Sequence, residues 1–223
     1  MVKAVIFDLD DTLISERQYI KSGFRHISKL LSEKLDESET EIYQSLMNLF
    51  QVSTKDVFNR LFDQYEIYYT KEDIMKLVNE YRNHLPQIQF YDDVLPCIKN
   101  LKDKGIKIGI ITDGYANAQK QKLKAVNAYN YFDLIILTDE LGRSYWKPHP
   151  KSFELMKEKL KVNFDQMVYV GDNPEKDFIT PNKFNMKTIH ILRKDGIYIG
   201  KIKSLAQKYY ADNTLRSLLD ISY

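Results

Sequence analysis

The sequence predicts an α/β protein whose parallel sheet of about five strands is interrupted by an inserted four-helix segment. Two observations along the chain carry this. Apolar, β-prone runs too short for helices recur at residues 4–7, 106–111, 132–137, 167–170 and 188–192, with helix-period segments between the later ones. Between the first and second runs, residues 15–85 hold helix-like patterns and no strand-like one. Apolar runs without polar alternation mark strands covered on both faces, so right-handed crossovers and helices on each side are expected, a Rossmann-like core.

The first strand, Ala4 to Phe7, runs straight into Asp8, Asp10 and Asp11. Burying unpaired charge costs several kcal/mol, so these acids belong where the strand leaves the sheet. If the extended geometry persists, Asp8 and Asp10 point to one side and Leu9 to the other. Two such carboxylates repel unless a cation joins them or one holds a proton. The alternative is a solvated turn with a helix cap.

Ser15 with Gln18 reads as a capping box opening a helix that carries Ile20, Phe24, Ile27 and Leu31 at helical spacing. Ser38 with Glu41 opens the next helix, Ser53 or Thr54 precedes a third, and Thr70 a fourth that Pro86 ends. Four capped helices without a strand make a small bundle, read as a cap spanning residues 15–86, with 1–14 and 87–223 as the core. Strand–helix alternation then resumes. A helix over 93–104 closes at Gly105, one over 116–126 follows the second strand, and one over 150–160 starts at Pro150. Another lies between the last two strands, and the tail from Lys201 to Ile221 reads as helical, broken near Asp212.

At 223 residues, with 43% hydrophobic and 29% charged, the chain has the profile of a soluble globular protein with a real core. A net charge of +2 argues against a general nucleic-acid binder. Cys97 is the single cysteine, so no internal disulfide is possible. No apolar run reaches membrane-spanning length, the N-terminus enters a strand rather than a signal peptide, and no Asn-x-Ser/Thr sequon occurs. Together these favour the cytoplasm and no membrane partner. Oligomeric state is left open between monomer and homodimer.

Polar residues cluster where the first, second and fourth strands stop: Asp8 and Asp10, then Thr112-Asp113-Gly114, then Gly171-Asp172-Asn173-Pro174. In a parallel sheet these ends lie along one edge. Lys147 precedes the helix that leads to the fourth strand. Carboxylates, a hydroxyl and an ammonium suit phosphoryl transfer, with a hard dication neutralising the acids and the phosphate. Magnesium fits better than zinc, because no His or Cys lies in these segments.

These residues carry a family resemblance. Asp8-Leu9-Asp10-Asp11-Thr12-Leu13 resembles the first motif of haloacid dehalogenase-like phosphatases, Thr112 the second, Lys147 the third, and Gly171 to Asp177 the acidic fourth. The resemblance implies an enzyme of the phosphoric monoester hydrolase kind, acting on a small phosphorylated metabolite of the sugar phosphate or nucleotide class. Asp8 would be the nucleophile, forming an aspartyl-phosphate. Asp10 would be the general acid and then the base, kept partly protonated by Asp8 and an apolar cap. Thr112 and the amides of Asp113 and Gly114 would cradle the phosphate, and Lys147 would offset its charge. Asp8, the carbonyl of Asp10 and Asp172 would hold Mg2+, with Asp177 orienting Lys147 or binding a metal-bound water. A phosphomutase or phosphonate hydrolase would use the same scaffold. A non-enzymatic phosphoacceptor switch also combines acids, Thr and Lys, but in another order.

Substrate selection has two candidate sources. Arg17, Lys21 and Arg25 form one basic stripe, facing either substrate or water. Tyr115, Arg143, Tyr145 and Trp146 flank the expected phosphate site, where they either stack on a ligand or pack together.

Overall fold

The computed structural model describes residues 1–197, 206 and 209–223. Its first strand, β1 (Ala4–Phe7), is fully buried on both faces. Val5 and Phe7 enter one apolar cluster, and Ala4 and Ile6 enter another. That division follows from the two-residue repeat of a strand. The chain forms two compact units, one of Met1–Arg17 with Ile88–Tyr223 and the other of Gln18–Gln87.

The second unit is helical, holding α1 (Glu16–Leu35) from Gln18 onward, α2 (Glu39–Val52), α3 (Val57–Gln64) and α4 (Lys71–Asn83). Its core joins Phe24 and Ile27 of α1, Ile42 and Leu46 of α2, Leu61 and Phe62 of α3, and Leu77 of α4. Ser38 with Glu41 and Thr70 with Asp73 form complete capping boxes. The start of α3 differs from expectation. Asp56, in a left-handed conformation and without a side-chain cap bond, precedes α3 in place of Ser53 or Thr54. Ser15 donates its hydroxyl to Asp195 (2.5 Å), and the carboxylate of Asp11 accepts the amide of Glu16 at 2.9 Å. Lys21 and Arg25 are exposed, with Arg25 over the Tyr43 ring, so this face is solvated.

In the first unit, β1 is followed by α5 (Val94–Asp103), β2 (Lys107–Thr112), α6 (Ala116–Ala125), β3 (Leu134–Leu137) and α7 (Lys151–Leu160). β4 (Met167–Gly171), α8 (Ile179–Lys183), β5 (Lys187–Ile191) and β6 (Asn213–Leu215) complete it. Val94, Cys97, Ile98 and Leu101 on α5 cover one side of the sheet, and Phe153, Met156 and Leu160 on α7 cover the other. Gly105 takes φ +70° after α5, and the amides of Gly105 and Ile106 return to the carbonyls of Lys102 and Leu101. Such a closure favours glycine.

The sheet runs β3-β2-β1-β4-β5-β6, with every neighbouring pair parallel. Phe7 pairs with Ile110 on β2 and with Val170 on β4, so these three strands end side by side. After β3 the chain crosses β1 to reach β4, and open α/β sheets place ligands where the strand order reverses.

The tail departs from expectation. Its described part is the sixth strand and a single turn at Leu218–Asp220, not a helix. Residues 201–205 and 207–208 of the expected helix lie outside the described residues. The edge of β5 offers unpaired backbone groups, which β6 takes up. Leu218 and Ile221 then bury into the cluster that holds α5. Among the described residues, no helix is long and apolar enough to cross a membrane.

Arg193, just past β5, ties this end of the chain to the first turn. Its guanidinium donates to Asp93 (2.6 Å) and twice to the carbonyl of Thr12 (3.0 and 2.7 Å). Asp93 also accepts the amide of Leu218. Asp93→Asn leaves a buried guanidinium without its counter-charge. The expected loss is roughly 3 kcal/mol, the low end for a buried pair because the bonds to Thr12 persist. Burial pushes the Asp93 carboxyl up, but Arg193 and the Leu218 amide outweigh it and hold it below the usual range. Its contribution is therefore present above the unfolded value and lost as pH falls through the folded one. Denaturant melts of the two proteins should differ at pH 7 and converge in acid.

Candidate active site

β1 continues its pairing one residue further, with the amide of Asp8 donating to Val170 (2.8 Å). The Asp8 side chain is buried, and Lys147 Nζ lies 2.5 Å from its Oδ1. The same ammonium donates to Asp177 Oδ1 at 2.8 Å and to the Tyr169 hydroxyl at 2.9 Å. All three ammonium protons therefore have acceptors, as a buried lysine requires. The backbone amide of Lys147 donates to Asp113 Oδ1 (3.0 Å), which also accepts from Thr138 (2.7 Å). Asp113 thus joins the end of β2 to the loop that carries Lys147.

Asp177 reaches this group because Gly171 has no side chain. A Cβ there would meet Asp177 Oδ2 at 2.5 Å. The amide of Asn173 donates to that oxygen at 2.9 Å. Carboxylate oxygens of Asp8, Asp172 and Asp177 all lie within 4.8 Å of one another.

Charge is crowded here. Burial raises the Asp8 carboxyl to about 6, with Lys147 opposing and Asp177 adding to the rise. Burial, then the charges of Asp177 and Asp8, push Asp172 well above the carboxylate range. Burial also lifts Asp177, but Lys147 and Lys176 outweigh it and the carboxyl is held low. Burial pulls Lys147 down, yet Asp177 and Asp8 keep it firmly protonated. Lys176 is a second ammonium at the rim, 3.6 Å from Asp113 Oδ2 and 28% exposed. Three clustered carboxylates with oxygen donors alone fit a hard divalent cation. The nearby His190 is turned to the carbonyl of Asp172 instead (2.9 Å).

Asp10 sits differently. Its Oδ2 accepts from Gln119 at 2.9 Å and its Oδ1 from Lys122 at 2.7 Å. Lys122 also donates to Glu16 at 2.6 Å. Burial raises the Asp10 carboxyl, but Lys122 and these hydrogen bonds outweigh it, and it is held below its ordinary value. The expectation of a partly protonated Asp10 is therefore corrected: an ammonium faces it. Burial lifts Glu16 to about 8 against the opposing charge of Lys122.

Thr112 ends β2 with its hydroxyl accepting from Gln119 (2.6 Å). Gly114 takes φ +121° with the Gln119 side chain packed against it. Tyr115 and Trp146 meet edge to face with the Arg143 guanidinium over both rings, so these residues pack on one another. Five residues at the site escaped sequence reasoning: Glu16, Gln119, Lys122, Tyr169 and Lys176. A tyrosine inside an otherwise apolar strand was the one available signal, since a buried hydroxyl needs a partner.

A buried strand-end aspartate, a buried lysine and an acidic trio thus lie together at the switch point of a parallel sheet. The chain belongs to the haloacid dehalogenase-like hydrolase family, whose model matches residues 5–191. It is 28% identical to a glyceraldehyde 3-phosphate phosphatase of Methanocaldococcus jannaschii, covering 99% of this chain and 96% of that protein. A protein of the same name from Methanopyrus kandleri is 30% identical over 86% of this chain and 85% of its own length. A putative pyrophosphatase PpaX of Clostridium perfringens is 29% identical over 98% and 96%. Among solved structures, a HAD phosphatase from Thermococcus onnurineus matches with a TM-score of 0.62 and 28% identity, over 98% of this chain and 95% of that one.

Proposed function

We propose that the protein is a magnesium-dependent phosphatase of small phosphorylated metabolites, of the sugar phosphate or nucleotide class. The observation that carries this reading is the buried Asp8 carboxylate, bonded to Lys147 inside the acidic trio. Similarity to proteins named as phosphatases supports it.

The negative charge of the bound phosphate lifts Asp10, an anion in the free protein, so that it takes up a proton from solvent; Asp8 then attacks phosphorus, and the leaving oxygen takes that proton while the phosphoryl group passes to the Asp8 carboxylate. Asp10, now a carboxylate, takes a proton from water, which attacks phosphorus and frees Asp8 and inorganic phosphate. The ammonium of Lys147 holds the nucleophile in place, and Lys147 with Thr112 and the amides of Asp113 and Gly114 receives the phosphoryl oxygens. Asp8, Asp172 and the carbonyl of Asp10 would hold Mg2+, with Asp177 in support through Lys147. The ion supplies neutralisation of the phosphate and the carboxylates. In this reading residues 15–86 serve as the cap, and 1–14 with 87–223 as the core.

A screen of phosphorylated metabolites with and without Mg2+ tests the reading. Chelation should abolish turnover and Mg2+ should restore it. Relief of repulsion among Asp8, Asp172 and Asp177 should also raise the melting temperature. At a hundred times the dissociation constant the stabilisation is about 2.7 kcal/mol. That corresponds to roughly 5–10 °C in a chain of this size. Turnover unaffected by chelator, or no stabilisation by any divalent ion, would remove the basis of the reading.

A further inference from the structure

We infer that Gln119 and Lys122 of α6, backed by Glu16, are positioning residues that clamp the Asp10 carboxylate and lock it to the phosphate-binding hydroxyl of Thr112. The inference rests on the phosphatase reading and adds residues to its machinery.

Both oxygens of Asp10 are engaged, each by a different residue one turn apart on the same helix. The two protons of the Gln119 amide go to different partners, Asp10 Oδ2 at 2.9 Å and Thr112 Oγ1 at 2.6 Å. One amide therefore spans the residue that moves the proton and the residue that grips the phosphate. Rotation of Asp10 breaks the bonds to Gln119 and Lys122 together. Gln119 and Lys122 are buried, at 2% and 3% exposure, and Gln119 packs against Gly114 of the phosphate loop. Glu16 completes the device by bonding Lys122 on its other side at 2.6 Å. A buried ion pair adds little stability over apolar residues of the same volume. What this one supplies is a fixed place for a carboxylate whose proton must meet a leaving oxygen to within a few tenths of an ångström.

The test uses two variants of the full chain with Mg2+: Gln119→Leu, which keeps the buried volume, and the double variant Glu16→Gln/Lys122→Met, which removes both ends of the Glu16–Lys122 bond. Each is assayed on p-nitrophenyl phosphate, whose phenolate leaves without a proton, and on glycerol phosphate, whose alkoxide needs one. The ratio kcat/KM reports only the steps through departure of the leaving group. We expect it to fall about 100-fold on glycerol phosphate and less than about 5-fold on p-nitrophenyl phosphate. A merely structural role lowers both alike. Equal losses on the two esters, or no loss on either, overturn the clamp and leave the phosphatase reading standing. A wild-type chain that hydrolyses neither ester overturns both.

Discussion

Asp8→Asn should abolish turnover of p-nitrophenyl phosphate, by roughly 10⁴-fold or more, while the metal-free protein melts no lower than wild type. The two halves have one cause. The amide cannot form an acyl phosphate, so catalysis loses its first covalent step. In the fold, the carboxyl of Asp8 is raised to about 6 by burial, with Asp177 adding and Lys147 opposing. A raised carboxyl means that the charged form is disfavoured in the native state relative to the unfolded chain. The resulting penalty develops as pH rises from about 4 towards 6 and is constant above. A neutral amide escapes it and still accepts from Lys147. Melting curves in chelator from pH 4 to 8 should show the variant gaining on wild type across that window. Substantial residual turnover would show that Asp8 is not the nucleophile.

Lys147→Met should have the opposite effect on stability and a comparable one on activity. It removes the cation that touches both Asp8 and Asp177, and leaves those carboxylates buried with Lys176 as the remaining nearby ammonium. Breaking a buried pair costs about 3–5 kcal/mol because the partner's charge stays uncompensated. A drop in melting temperature of roughly 10 °C or more is therefore expected at pH 7. Since Lys147 stays protonated far above neutrality, its own contribution does not vary between pH 5 and 8. The variant's loss should instead shrink towards pH 5, where Asp8 takes up a proton and the repulsion fades. A loss that does not vary with pH would mean that lost packing, not charge, is what the variant measures.

β1, β2 and β4 were legible in the sequence because an apolar run bounded by polar residues is a local signal, set by how many neighbouring residues must avoid water. Their acidic and hydroxyl ends followed, since a parallel sheet brings its strand ends to one edge. The sixth strand was not legible: Asn213–Leu215 has no strand pattern of its own and pairs because the edge of β5 is open. Nor was the start of α3, where Asp56 rather than Ser53 or Thr54 precedes the helix.

The clamp on Asp10 shows the difference most clearly. Its members are more than a hundred residues apart, and α6 carries Gln119 and Lys122 among other polar side chains that face water. Nothing local separates the two kinds. The chemical kind of each strand-end residue could be read from the chain, because placing a charge inside or outside an apolar run is decided by neighbours. Which ammonium faces which carboxylate, and hence that Asp10 is held as an anion while Asp8 and Asp172 are lifted, depends on strand order and register. Those come from the assembled sheet, and electrostatic energies at 3–5 Å change with every ångström of it.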